Sequence, residues 1–153
     1  MYRIEAMGPI HVPGVHLARE RLLRQLGRGL AARPMFRTAE IVHQNAQTGG
    51  LQFVAKVGHE VVGWCMLTQA SSSDGQAILE LGVAAPWRTQ GIESALLDTV
   101  MQLAKQASPR ILFVSAAWDG DLIDCLERAG FMQARGANGL PEWAWTASGS
   151  ECN

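Results

Sequence analysis

The sequence contains no apolar run long enough to cross a membrane. Its most apolar stretches, residues 60–67 and 110–117, are broken by charged or turn residues and fall far short of the roughly 20 residues that a spanning helix needs. The N-terminus has no long apolar run behind a basic start and no small-residue cleavage site, so it does not resemble a secretion signal. We therefore expect a protein of the cytoplasm that makes no contact with a membrane.

Cysteine is scarce and follows no ligand or disulfide pattern. Cys65, Cys125 and Cys152 are an odd number, with no Cys-x-x-Cys pair and no regular spacing to histidine. This argues against a disulfide framework and against a zinc site. The histidines are single residues, for which a structural role is the more common one. We expect reduced thiols, with Cys65 and Cys125 in the core, and no bound metal.

Neither sign of charge dominates, but the charges are unevenly distributed. The net charge is −1, while residues 1–40 hold seven arginines and three acidic residues. This basic segment could form a wall near an acidic ligand or near the phosphates of a cofactor, or it could be the solvated face of an early helix. Because the arginines are not interleaved with aromatic residues, and because the whole chain is slightly acidic, we do not expect binding to nucleic acid.

The spacing of apolar residues predicts alternating strands and helices. Ile92, Leu96, Val100 and Leu103 recur at helical spacing and define the clearest helix. The predicted order is β, α, α, β, β, β, α, β, α, β. Strands are expected near residues 2–7, 51–57, 60–68, 77–84, 111–116 and 142–146, and helices near residues 15–26, 35–46, 92–107 and 121–129.

These elements predict one α/β domain of the layered α+β type over residues 1–147, followed by a polar tail at residues 148–153. A chain of 153 residues can bury one hydrophobic core and is too short for two ordinary domains. The hairpin over residues 51–68 supplies antiparallel strand pairs, and the strand–helix–strand unit over residues 77–116 supplies a parallel one. The sheet is therefore expected to be mixed.

The connection between the strand at 77–84 and the helix at 92–107 is a candidate site for an anion. The first turn of a helix leaves backbone N–H groups without partners and carries the positive end of the helix dipole. Gly91 lets the backbone approach a phosphate without an intervening Cβ. Many strand–turn–helix connections with one glycine share these features, so loop shape alone leaves phosphate binding open.

Two motifs resemble the GNAT superfamily of N-acetyltransferases. Residues 88–93, Arg-Thr-Gln-Gly-Ile-Glu, resemble its pyrophosphate loop Arg/Gln-x-x-Gly-x-Gly/Ala, and follow a strand that ends in Val-x-x-Pro, as in that family. Residues 126–131, Leu-Glu-Arg-Ala-Gly-Phe, resemble its later Tyr-Glu-Lys-x-Gly-Phe segment. The resemblance implies a mixed, mostly antiparallel sheet with helices on both faces and a splayed parallel strand pair. It also implies transfer of an acetyl group from acetyl-CoA to a primary amine by direct attack.

The resemblance also assigns roles to residues. The pantetheine arm of acetyl-CoA is expected beside Leu81 and Val83, and the Val83 N–H is expected to polarise the thioester carbonyl. Glu80 is the candidate general base, acting through water, although it could equally be a solvated or salt-bridged face residue. The remaining residues assigned to the cofactor are Arg88, Thr89, Gln90, Gly91, Ile92, Glu93, Ser94 and Asp119.

Two residues depart from the family pattern. Glu93 stands at the second small position of the loop, where its charge would repel the pyrophosphate unless the side chain turns to solvent or pairs with Arg88. Leu126 stands where many members have a tyrosine as the general acid. These departures support a second hypothesis, in which a catalytically weak member binds a CoA thioester or another ligand as a sensor or regulatory module.

The acceptor and the assembly follow only from the resemblance. A small-molecule amine is the expected acceptor, with Trp87 and Trp118 as candidates for lining its pocket because ligands sit beyond strand ends in α/β sheets. Family members commonly form homodimers through late strands. Trp143 and Trp145 are therefore the candidate interface residues.

Overall fold

The computed structural model describes residues 1–25, 43, 51–69, 76–107, 110–113, 120–135 and 141–145. Within them lie strands β1 (Arg3–Ala6), β2 (Leu51–Val57), β3 (Glu60–Gln69), β4 (Gln76–Val83), β5 (Arg110–Phe113), β6 (Met132–Arg135) and β7 (Pro141–Trp145), helices α1 (Val12–Gln25), α2 (Ile92–Ala107) and α3 (Gly120–Arg128), and short 3-10 helices at Pro9–His11 and Ala85–Trp87. The helix predicted near 35–46 (apart from residue 43), the continuation of β5 to residue 116 and the tail at 148–153 lie outside the described residues.

The strands form one mixed sheet in the order β1-β2-β3-β4-β5-β7-β6. Every described pair is antiparallel except β4 with β5, which run parallel across the α2 crossover. The prediction of a mixed, mostly antiparallel sheet is confirmed. The parallel pair follows from the chain, since a strand can return beside another in the same direction only after a crossover of a dozen or more residues.

The order of the last strands was not predicted. The sequence gives no strong signal for β6, because Met132–Arg135 is only four residues long and carries two polar side chains. β6 lies at the sheet edge, with the side chain of Met132 75% exposed. β7 returns between β5 and β6, pairing antiparallel with both. A short edge strand of this kind buries too little apolar surface to leave a periodic pattern in the sequence.

Helices cover both faces of the sheet, as expected. On one face α1 packs Val12, Val15 and Ala18 against Val54, Trp64 and Met66. On the other face α2 and α3 pack against the larger core, whose members include Cys65, Leu67, Leu79, Leu81, Ile92, Leu96, Val100, Leu122 and Leu126. Successive side chains of a strand point to opposite faces, so β3 contributes alternate residues to the two clusters. Each fully buried large side chain stabilises the fold by roughly 1.5–3 kcal/mol.

Helix length and the grouping of metal-ligating side chains bear on membrane insertion and metal binding. No helix in the described part of the chain is long and apolar enough to span a membrane. Within the same residues, no group of three or more His, Cys, Asp or Glu side chains is arranged to hold a metal ion.

Candidate active site

The carboxyl half of β4 lies at the centre of the sheet. Its pairing with β5 is described from Gln76↔Arg110 to Leu79↔Phe113, while its pairing with β3 continues as far as Gly63↔Val83. The positions that would continue β5 opposite residues 80–83 lie outside the described residues. The splay between the two parallel strands therefore stays a prediction.

The backbone of Leu81 and Val83 points toward the β5 side of β4. The N–H of Ala84 donates to the carbonyl oxygen of Val62, on the β3 side, at 2.8 Å. Because the N–H and C=O groups of a strand alternate between its two edges, those of Val83 and Leu81 face away from β3. Arg88 Nε donates to the Val83 carbonyl oxygen at 3.2 Å from within the following loop. Both residues assigned to the pantetheine arm thus present polar groups to one edge.

The loop after β4 turns directly into α2. Ala85–Trp87 forms a 3-10 turn, and two left-handed residues follow, Thr89 with φ 67° and Gly91 with φ 85°. The Gly91 carbonyl accepts the N–H of Ala95 at 3.0 Å, which makes Gly91 the N-cap residue of α2. The next N–H groups belong to the first helical turn and have no acceptor within the helix. The structure therefore brings the predicted residues 88–94 together around a helix N-terminus.

The side chains of this loop differ in their exposure. Thr89, Gln90 and Gly91 are exposed, whereas Ile92 is fully buried in the core. Glu93 is only 6% exposed, so its side chain does not turn to solvent. Its carboxylate lies in the first turn of α2, where the helix dipole stabilises a negative charge. Thr89 Oγ1 donates to the carbonyl oxygen of Arg88.

A second layer of contacts lies behind the loop, on α3. Ser94 Oγ and Cys125 Sγ are 3.2 Å apart, and Arg128 Nη2 donates to the same sulfur at 3.6 Å. Leu126, at the position of the family tyrosine, is fully buried. A hydroxyl group is thus missing from this position, and its apolar replacement packs into the core.

Glu80 is held by two residues from other elements. Arg19, on α1, contacts it twice, with Nε 2.7 Å from Oε2 and Nη2 3.0 Å from Oε1. Trp64 Nε1 on β3 donates to Oε2 at 2.6 Å. The sequence left Glu80 open between a base and a salt-bridged residue, and the structure shows that it is salt-bridged. Whether it also accepts a proton during a reaction stays a prediction.

The sequence analysis missed Arg19 and Trp64 as partners of Glu80. Arg19 follows Val15 by four residues, so both lie on one face of α1. That spacing was a usable signal that Arg19 points toward the sheet, whereas Arg21 on the same helix is exposed. Trp64 is a buried core residue, and no local pattern in the sequence joins it to Glu80.

Cys65 lies on the opposite face of β3 from Trp64. Burial raises the pKa of its thiol, and the negative charge of Glu80 raises it further. A thiol in such a site remains protonated and is a poor nucleophile. The prediction that Cys65 and Cys125 are buried in the core is confirmed.

The tryptophans divide between a cavity and the core. Trp87 lines a cavity of about 360 Å³ between α1, the β2–β3 turn and the end of β4, together with Gly14, Leu17, Ala18, Arg21, His59, Glu60, Val61, Ala84, Ala85 and Pro86. Trp145 is buried in the core and Trp143 packs against it. The interface role expected for Trp145 is therefore corrected, because its side chain is already covered by its own chain. Trp118 and Asp119 lie outside the described residues.

Comparison with known proteins identifies the family. The sequence model of the Acetyltransferase (GNAT) family matches residues 19–131, nearly three quarters of the chain. The protein therefore belongs to the GNAT family of acetyltransferases, as the two motifs predicted. A search of curated proteins finds no sequence match.

Solved structures of the family share the fold at low sequence identity. A GNAT-family acetyltransferase from Streptococcus pneumoniae is 12% identical, with a TM-score of 0.80 over 97% of this chain and 100% of that one. A GNAT-superfamily phosphinothricin acetyltransferase from Sinorhizobium meliloti, solved with acetyl-CoA, is 12% identical, with a TM-score of 0.79 over 99% and 91%. An N-acetyltransferase from Thermoplasma acidophilum, solved with coenzyme A, is 12% identical, with a TM-score of 0.76 over 95% and 99%.

Proposed function

We propose that the protein transfers an acetyl group from acetyl-CoA to a primary amine by direct attack of the amine on the thioester. The observation that carries the proposal is the end of β4, where the polar groups of Leu81 and Val83 face the β5 edge and the chain then turns into a helix N-terminus at Gly91. A strand edge can hydrogen-bond an extended amide-bearing arm. A helix N-terminus attracts the pyrophosphate that follows that arm.

Apart from Glu93, whose carboxylate in the first turn of α2 is a like charge, the residues of the loop fit a bound pyrophosphate. A Cβ atom at Gly91 would have no neighbour within 4 Å, so the backbone there is open to an approaching phosphate. Ile92 is buried, and its contribution would come from the backbone N–H alone. Arg88 and Ser94 would add side-chain donors, while Thr89 and Gln90 form the exposed rim. Asp119 is retained as a cofactor residue on the family resemblance.

The proposed chemistry uses Val83 and Glu80. Acetyl-CoA supplies the acetyl group as a thioester. The Val83 N–H stabilises negative charge on the carbonyl oxygen, and Glu80 receives, through water, the proton that the ammonium group of the acceptor must lose. The nitrogen then bonds to the carbonyl carbon, the carbon–sulfur bond breaks, and CoA leaves as the thiolate. Cys65 takes no part, since its pKa is raised by burial.

The finer parts of the proposal rest on the family resemblance. We propose a small-molecule amine as the acceptor, because the resemblance favours one for a stand-alone domain of this size. A homodimer and a cytoplasmic location stay predictions on the same ground. With Trp145 buried in the core, the partly buried Trp143 remains the candidate interface residue of the two.

The residue at position 126 supports a second candidate function, that of a sensor. Leu126 is fully buried, so the position of the family tyrosine offers no proton to a leaving thiolate. A member without that donor could bind acetyl-CoA and respond to it without fast turnover. Such a sensor would show ligand binding and no release of CoA with amines.

Thermal unfolding with and without excess acetyl-CoA tests the cofactor site. A ligand at about 100 times its dissociation constant adds roughly 2.7 kcal/mol of stability, which raises the melting temperature clearly. Gly91→Glu should abolish this shift. Gly58→Glu is the matched control, because Gly58 also has a positive φ and no atom within 4 Å of a Cβ, but lies in the β2–β3 turn.

Release of free CoA then separates the two functions. Turnover with at least one primary amine supports the enzyme, and binding without turnover supports the sensor. If millimolar acetyl-CoA leaves the melting temperature unchanged, the enzymatic function and an acetyl-CoA sensor are both wrong, and only a sensor for another ligand is left.

A further inference from the structure

A buried arginine contacts both carboxylate oxygens of Glu80. Arg19 is only 4% exposed, and its Nε and Nη2 lie 2.7 Å and 3.0 Å from Oε2 and Oε1. This two-point contact is the geometry in which a guanidinium group binds a carboxylate most specifically. Trp64 Nε1 donates to Oε2 as well. The carboxylate is therefore fixed in both position and orientation.

Stability alone is a weak reason for this arrangement. The cluster around the ion pair is apolar, with Val15, Ala18 and Met66 among its members. Arg19 is buried and the Glu80 side chain is only 25% exposed, so the pair loses much of its hydration, and a well-packed apolar set of the same volume is commonly as stable or more stable. The retained charges therefore call for a role beyond holding α1 to the sheet.

The ion pair lies next to the part of β4 that faces the cofactor in the proposed function. Glu80 precedes Leu81 and Val83, and its side chain lies on the α1 face of the sheet. α1 and β3 thus supply the donors that hold a carboxylate of the central strand. Neither donor belongs to the loop that would bind the pyrophosphate.

Resting on the proposed function, we propose that Arg19 is a positioning residue for Glu80, assisted by Trp64. Arg19 holds the carboxylate in one position and orientation, so that a water molecule bound to Glu80 can pass on to it the proton that the acceptor ammonium loses.

Other titratable groups lie near the pair of Arg19 and Glu80. The thiol of Cys65 on β3 feels the charge of Glu80 and remains protonated because burial raises its pKa. On α1, His16 and Glu20 lie within one turn of Arg19, and their side chains are 3.9 Å apart. Arg19 and the Trp64 indole thus contact Glu80 directly, whereas the Cys65 thiol lies on the other face of β3.

The test measures kcat and KM for CoA release with acetyl-CoA and three probe amines: spermidine, glutamate and an alanine-ended tripeptide. In Arg19→Met we expect kcat to fall by about tenfold to a hundredfold, with the KM for acetyl-CoA unchanged. Arg19→Lys, which keeps the charge and loses the two-point contact, should recover part of the rate. Arg3→Met is the matched control, because it breaks an exposed arginine–glutamate pair on β1.

A double-mutant cycle distinguishes positioning from general structural damage. If Arg19 acts through Glu80, Arg19→Met should cost nothing further in a Glu80→Gln background. Additive losses, or an unchanged kcat in Arg19→Met, would overturn the inference while leaving the proposed function standing. If Arg19→Met does not fold, Arg19→Lys and Trp64→Phe decide by the same comparison of kcat with the KM for acetyl-CoA. No CoA release from the unaltered protein with any probe amine would overturn the enzymatic function and this inference together.

Discussion

The indole ring of Trp64 occupies the space above Gly82. The two residues are paired across β3 and β4, and a Cβ atom at position 82 would lie 2.4 Å from Trp64 Cζ2 and Cη2. This is far closer than two carbon atoms can approach. The ring can lie flat over β4, with Nε1 at hydrogen-bond distance from Glu80, only because residue 82 has no side chain.

Gly82→Ala should therefore destabilise the protein and displace Trp64. Overpacking of a buried site costs about 1–3 kcal/mol, and urea unfolding monitored by circular dichroism would measure it. Tryptophan fluorescence of the folded variant should change, because the indole would no longer lie against Glu80. Gly8→Ala is the control, since a Cβ there has no neighbour within 4 Å. Equal stability of the two variants would show that β3 and β4 can shift to make room.

Thr89→Gly should stabilise the free protein. Thr89 is a β-branched residue with φ 67°, a conformation that costs a side-chain-bearing residue roughly 1–2 kcal/mol and costs glycine little. Part of the gain is lost because glycine makes the unfolded chain more flexible. A net increase of up to about 1 kcal/mol in the free energy of unfolding is expected by urea titration. A clear decrease would mean that the contact of Thr89 with the Arg88 carbonyl outweighs the strain.

The elements that could be predicted from the sequence are those whose patterns involve residues close together along the chain. The apolar stripe of α2, the alternation in β2 and the β-branched and aromatic residues of β3 each concern residues within a few positions of one another, and all three elements are observed close to the predicted bounds. The loop at residues 88–94 was found in the same way, because a glycine before an apolar helix is a local signal.

The features that escaped prediction depend on distant contacts. Arg19 and Glu80 are 61 positions apart, and nothing in either segment indicates that the two side chains meet. The return of β7 between β5 and β6 is equally non-local, since β6 is too short and too exposed to show a strand pattern. The burial of Glu93 is a third such feature. Its position in the first turn of α2 follows from local spacing, but its burial depends on packing against the rest of the chain.

Cys65 should resist alkylation in the folded protein. Burial and the charge of Glu80 raise its thiol pKa, and the reactive species is the thiolate. Iodoacetamide at mildly alkaline pH, followed by peptide mass spectrometry, should label Cys65 only after unfolding in guanidinium chloride. Labelling of Cys65 at the same rate in the folded and unfolded states would contradict the burial.

The raised pKa of the Cys65 thiol also makes the free energy of unfolding depend on pH. A thiol whose pKa is raised by folding binds its proton more tightly in the folded state than in the unfolded state. Its contribution is fully present below the pKa of the unfolded thiol and is lost as the pH rises above it. The free energy of unfolding should fall less steeply at alkaline pH in Cys65→Ala than in the unaltered protein.

Glu93→Gln should affect the free and the cofactor-bound protein in opposite directions. In the free protein the carboxylate lies in the first turn of α2, where it interacts favourably with the helix dipole by about 0.3–1 kcal/mol. The substitution should lower the stability by that amount. With a pyrophosphate at the same helix N-terminus, the carboxylate becomes a like charge, and removing it should improve acetyl-CoA affinity by roughly fivefold to tenfold.

Calorimetric titration with acetyl-CoA at low and high salt would measure this gain. The difference between the variant and the unaltered protein should shrink as salt screens the charges. Asp98→Asn is the matched control, because Asp98 is an exposed acid on the same helix but lies beyond its first turn. Unchanged or weaker binding by Glu93→Gln would mean that the carboxylate is neutralised in the complex. In that case the departure of residue 93 from the family pattern is compensated within this chain and gives no support to the sensor function.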